Sequence, residues 1–93
     1  MALSVSISSV TLAEAQGVRV AGTGSPNGAS ITVSVQINGD GAGNGATQVN
    51  LGQWSTVVMI QNVHTGQTGT AAATVSSPSF PGQSAQDSKP FTL

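Results

Sequence analysis

The sequence predicts an antiparallel β-sandwich of about seven to eight short strands, and three observations carry that expectation. The first is the alternation between Ser30 and Ile37. Ile31, Val33, Val35 and Ile37 occupy every second position, with Thr32, Ser34 and Gln36 between them. A period of two puts the aliphatic side chains on one face of a strand and the polar ones on the other. The second is punctuation: Pro26-Asn27-Gly28 precedes this run, Asn38-Gly39 follows it, and similar turn chemistry separates the other apolar runs. The third is the low charge. Only 5% of the 93 residues are charged, whereas disordered chains combine high charge with low hydropathy. A strand that is apolar on one face needs a second sheet to cover it, and several such strands make a sandwich.

Each element follows in order. Leu3, Val5 and Ile7 alternate with serines, and Ser8-Ser9 shifts the phase before Val10 and Leu12. That slip predicts a bulge or a strand that changes sheets. Ala13 to Gln16 is read as a turn. Gly17 to Thr23 is a second strand, with Val18 and Val20 inward and Arg19 toward solvent. Gly24 to Gly28 turns the chain into the central strand, Ser30 to Ile37. Asn38 to Gly45 carries glycine at positions 39, 41, 43 and 45, and is expected to be an exposed, mobile loop.

Gln48 to Leu51 is expected to be a short strand with Val49 and Leu51 inward, turned by Gly52-Gln53. From Trp54 to Ile60, one face holds Trp54, Thr56, Val58 and Ile60, and the other holds Val57 and Met59. With both faces partly apolar, this strand is expected centrally or under a contact. Gln61 to Gly69 is a connection with Val63 tucked in. Thr70 to Ser76 is a strand of small residues with Ala71, Ala73 and Val75 inward. Ser77 to Gly82 is a loop stiffened by its prolines. Ser88 to Leu93 is the last strand, with Phe91 and Leu93 pointing one way and Pro90 at its start or on an edge. No internal repeat or second domain is visible, so residues 1–93 are expected to form one domain.

The core of such a domain is lean. Hydrophobic residues make up 38% of the chain and aromatic residues 3%, namely Trp54, Phe80 and Phe91. A domain burying so little area per residue is expected to lean on neighbours. Arg19 and Lys89 are the only cationic side chains besides the lone His64. Phosphate-backbone binding runs on several Lys or Arg contacts, so nucleic acid is excluded as a partner, and an anionic membrane surface is disfavoured for the same reason. No apolar run is long enough to span a bilayer. The chain has no cysteine, hence no disulfide framework. Met1-Ala2-Leu3-Ser4 lacks the basic start and long apolar stretch of a signal peptide.

Val20 to Val33, reading VAGTGSPNGASITV, resembles the start of bacterial Ig-like modules: a valine strand, Gly-Thr, a turn to Pro-x-Gly, then alternating aliphatics. Gly52-Gln53-Trp54-Ser55-Thr56-Val57 resembles their Gly-x-Trp-Ser segment, and Gly69 to Val75 resembles their following Gly-Thr strand, with alanine where larger residues are usual. The resemblance covers roughly residues 18 to 75. It implies an Ig-like sandwich. The family holds adhesin repeats, modules of secreted enzymes and domains on phage virions, with no common active site, so no catalytic residue carries over.

The chemistry-bearing residues are sparse. His64 has no nucleophile elbow or orienting acid near it in sequence, and is read as a solvated loop histidine. Asp40 in its glycine-rich stretch is reminiscent of a calcium loop, but only Asp40, Asp87 and Glu14 are acidic, and calcium wants six to eight oxygens. Gly22 to Gly28 has no following helix or lysine, so a phosphate cradle fails its context. Trp54 is read as core rather than as a sugar-stacking platform.

The expectation is therefore a non-enzymatic structural protein with no catalytic residue, cofactor or metal, which packs against copies of itself or a larger protein assembly. Within that class the favoured form is a small surface protein of a tailed-phage virion, of the capsid decoration type, assembled in the host cytoplasm. The alternatives are an Ig-like repeat of an exported bacterial adhesin at the cell surface, and a carbohydrate-binding module. Apolar, uncharged segments at both ends make Leu3, Val5, Ile7, Phe91 and Leu93 the candidate assembly contacts, through strand addition.

Overall fold

A computed structural model describes residues 3–13, 17–38, 41–60 and 63–93. The described chain is all β, with seven strands: β1 (Ser4–Ala13), β2 (Gly17–Ser25), β3 (Ser30–Ile37), β4 (Ala42–Gln48), β5 (Gln53–Met59), β6 (Thr68–Ser76) and β7 (Ala85–Thr92). They form two antiparallel sheets, β1-β2-β5 and β4-β3-β6-β7. In a constant-type Ig domain the fourth strand joins the fifth. Here β4 pairs with β3 instead, so it extends the β3-β6-β7 sheet and leaves β5 at the edge of the other.

The alternation in β3 is realised without exception. Ile31, Val33 and Val35 are fully buried and Ile37 nearly so, while Ser30, Thr32, Ser34 and Gln36 are exposed. β3 lies between β4 and β6, so both its edges are paired. Its aliphatic row faces Val18 and Val20 of β2 and Trp54 and Val58 of β5 across the sandwich, with Ala71, Ala73 and Val75 of β6 beside it in the core. Arg19 is exposed between the two buried valines. The phase slip at Ser8-Ser9 is a β-bulge: the register with β2 shifts between Ile7 and Ser9.

Four expectations need correction. The stretch expected as a mobile glycine loop is largely strand: β4 runs from Ala42 to Gln48. Gly43 and Gly45 sit at its inward positions, where a Cβ on Gly43 would lie 2.8 Å from Val58 Cγ1. The missing side chains let β4 approach β5 closely. Leu51 does not point inward. It occupies a turn at φ 53°, and its side chain is 84% exposed. β5 is not central but the outer strand of its sheet. The last strand starts at Ala85 rather than Ser88, with Pro90 inside an edge strand. Of the turn expected at Ala13 to Gln16, residues 14–16 lie outside the described residues, as does Asp40.

Candidate functional site

The sandwich has two open sides, each formed by one outer strand of each sheet. On one side β1 approaches β7, and on the other β4 approaches β5. The first is guarded. The Ile7 backbone N–H donates to Asp87 Oδ2 at 2.7 Å, so a carboxylate from β7 occupies an outward-pointing amide of β1. β1 carries the bulge, and β7 carries exposed Lys89 and Pro90. Bulges, lysines, prolines and inward-pointing charges are the usual means of blunting a strand edge.

The second side has none of these. β5 contains no charged residue, no proline and no bulge. Its backbone polarity can be read from the turn before it. Asn50 N–H donates to Gln53 O at 2.7 Å, and Gln53 N–H donates to Asn50 O at 3.0 Å. The Gln53 groups therefore point away from β2. Groups alternate along a strand, so those of Ser55, Val57 and Met59 also point away from β2, and among the described residues no strand pairs with this edge. The side chains of the same residues face outward, with Val57 38% and Met59 67% exposed. Beside them in register stand Arg19, opposite Val57, and Gly17, opposite Met59. The result is an unpaired strand edge with an apolar rim. The sequence signal for it is the second apolar face of this strand, Val57 and Met59.

A shallow groove of about 480 Å³ adjoins the start of β5. Thr23, Thr47, Gln48, Asn50 and Gln53 line it together with Trp54, and none of its lining residues is charged. Trp54 is only 4% exposed, and its Nε1–H donates to Thr23 O at 2.8 Å. The indole thus belongs to the core, with its polar handle satisfied, and presents no flat face to a ligand.

The residues singled out from sequence do not converge. Ile7 and Phe91 are buried in the core, and Leu3, Val5 and Leu93 pack partly against it. Their side chains are committed to the domain itself, so a partner at that end would meet backbone and polar groups. His64 is exposed in the turn before β6, where its backbone N–H donates to Gln67 Oε1 at 2.8 Å. Among the described residues no cluster of three or more His, Cys, Asp or Glu is placed to hold a metal. Asp87 is the residue that sequence reasoning overlooked. The signal was parity: Phe91 is inward, and stepping back by twos reaches Asp87.

The chain's structure resembles the crystal structure of a Br derivative of BhCBM56, a carbohydrate-binding module, with a TM-score of 0.61 and 13% sequence identity, covering 98% of this chain and 91% of that one. The likeness shows the fold alone. No protein-family model matches the sequence, and no curated protein does either.

Proposed function

We propose that this protein is a non-catalytic structural domain that packs against protein in a larger assembly, with the β5 edge as its contact. The observation that carries this reading is the asymmetry of the two open sides. One is closed by Asp87, Lys89, Pro90 and a bulge; the other offers the unpaired backbone of Ser55 and Val57 beneath the exposed side chains of Val57 and Met59. An unguarded edge on a free domain invites aggregation, whereas the same edge under a partner is a strand-addition site. The absence of charge on β5 also suits the centre of a protein interface, where charged residues are depleted. The finer form of the proposal is a surface protein of a tailed-phage virion. The test is co-sedimentation. In the producing culture the chain should travel with virions at fixed stoichiometry, and a Val57→Lys, Met59→Lys double variant should remain in the soluble fraction. Detection of the chain only within a long cell-surface polypeptide would replace this form with the adhesin-repeat alternative.

A second reading is favoured by the groove. Its uncharged lining of hydroxyls and amides both donates and accepts hydrogen bonds, as sugar hydroxyls require, and the structural neighbour is a carbohydrate-binding module. Titration calorimetry with neutral oligosaccharides, on the wild type and on Asn50→Ala with Gln53→Ala, tests it. Binding that the double variant abolishes would favour this reading over packing.

A further inference from the structure

We propose that Leu51 is an apolar anchor that inserts into a hydrophobic socket on a different protein. The proposal extends the reading of the β5 edge as the docking side, since Leu51 lies in the turn that leads into β5, and it names the partner's chemistry. Asn50 N–H donates to Gln53 O at 2.7 Å and Gln53 N–H donates to Asn50 O at 3.0 Å. Leu51 and Gly52 are therefore the two central residues of a tight turn. Both have positive φ, 53° and 80°. This is the type I′ arrangement, which favours Asn-Gly, Asp-Gly or Gly-Gly. Gly52 fits it. Leu51 stands where asparagine belongs, in a backbone region that disfavours a Cβ, and leucine has no polar group to bond locally there.

Neither the turn nor the core explains this leucine. A lone exposed apolar side chain is ordinary, and a left-handed backbone at asparagine is ordinary too. Leu51 combines both costs: it is 84% exposed, so burial does not offset the backbone strain. Such strain persists where the surroundings over-determine it, and it collects where ligands are held. The surroundings of Leu51 do so. Gly52 N–H donates to Asn27 Oδ1 at 2.9 Å, and Gly24 N–H donates to Gly52 O at 3.1 Å. With both flanks pinned, Leu51 is held outward as a fixed knob, and less freedom is lost when it binds.

The chemistry around the turn selects the partner. The receptor for a leucine must be apolar. Two grooves lie on the described surface of this chain, one beside β5 and a smaller one at Ala72, Gln86, Asp87 and Ser88. Both are walled mainly by polar groups, and neither offers an apolar socket, so a second copy does not supply it. A bilayer would accept the side chain, but the residues about the turn, Asn27, Gln48, Asn50 and Gln53, include no cation. One leucine without a basic patch is a weak membrane anchor. A socket on another protein remains, set in a surface that is uncharged where it meets these amides. The unpaired groups of Ser55 and Val57 follow along the next strand, so one partner can take the knob and the edge together.

Leu51→Asn separates an anchor from a structural role, because it installs the favoured Asn-Gly turn. Its melting temperature should rise by about 4–8 °C as the left-handed strain is relieved. Its co-sedimentation with virions from the producing culture should weaken roughly tenfold or more. Leu51→Met keeps an apolar side chain and should co-sediment like wild type. A Leu51→Asn chain that co-sediments normally, or that gains no stability, overturns the proposal, and so does a wild type that fails to co-sediment. Two further measurements name the rival partners. If wild type binds phosphatidylcholine vesicles, or dimerises in sedimentation equilibrium, and Leu51→Asn abolishes it, a bilayer or a second copy replaces the protein socket. If Leu51→Asn is lost from virions while the Val57→Lys, Met59→Lys variant binds normally, the anchor stands and the β5 edge is wrong. The reverse result rejects the anchor alone, and normal binding by both rejects both.

Discussion

The two open sides of this sandwich are closed by different physics. Between β1 and β7 the tie is polar: one carboxylate, Asp87, reaches across to a single amide on the other sheet. Between β4 and β5 the tie is steric. Glycines at 43 and 45 remove the side chains that would hold the strands apart, and β4 settles onto Thr56, Val58 and Ile60. The polar tie also occupies the edge it sits on, whereas the steric tie sets β4 against the Met59 carbonyl and leaves the outward groups of Ser55 and Val57 unpaired. A lean domain thus closes both sides of its core but guards only one against other chains. That difference, rather than any constellation of reactive groups, is the feature on which function is argued.

The largest loss of stability is expected at Trp54. Trp54→Ala removes the largest core side chain on the unguarded side and its bond to Thr23 O, and should cost about 3–5 kcal/mol, a large share of the stability of a small domain. Thermal or chemical denaturation checks it. A variant that melts like wild type would mean the indole is not core.

Gly43→Val tests the steric tie. The new side chain would collide with Val58 and with the Met59 carbonyl, so the loss should lie toward the upper end of the roughly 1–3 kcal/mol typical of overpacking. No loss would show that β4 does not need its glycines to approach β5.

Asp87→Ala tests the polar tie. It leaves the Ile7 N–H without its acceptor, at about 1.5–3 kcal/mol for a lost hydrogen bond to a charged group. In the dilute variant the Ile7 amide should exchange faster, and at higher concentration the chain should self-associate through β1, visible as larger species in gel filtration. Asp87→Asn keeps an acceptor oxygen and should remain close to wild type. The smallest effect on stability is expected at Val57→Lys, within about 0.5 kcal/mol for an exposed site, with association lost all the same. His64→Ala should leave association unchanged, because His64 lies in the turn before β6 and not on β5.

Much of this fold was legible in the sequence, because where side chains alternate strictly the strand has only one possible face for the core. β3 and the alanine row of β6 follow from parity alone. The bulge in β1 was visible as a phase slip in serine-rich sequence. β4 was not legible as a strand, for a physical reason: its inward residues are glycines, so hydrophobic periodicity is silent where close approach, rather than burial of side chains, is the purpose. Glycine at every second position was itself the period-two signal. Leu51 misled because an apolar residue in a tight turn reads like the end of a strand. The position of β5 on an edge follows from β4 staying with β3, its neighbour in sequence, instead of crossing to β5, a choice that strand parity does not encode. The candidate site was half visible. Val57 and Met59 stood out as a second apolar face, but the unpaired backbone beneath them emerges only from the sheet order, and Asp87 only from the packing of β7 over β1.

The central claim is that the β5 edge, and not the chain ends, meets the partner. The most direct test is amide hydrogen exchange, residue by residue, on the dilute domain and on the assembled form. The account predicts that Ser55, Val57 and Met59 gain protection on assembly, while Leu3 and Val5 change little and Ile7 is already slowed by Asp87. Equal exchange at Ser55, Val57 and Met59 in both states, with protection gained instead from Leu3 to Ile7 or from Phe91 to Leu93, would contradict it.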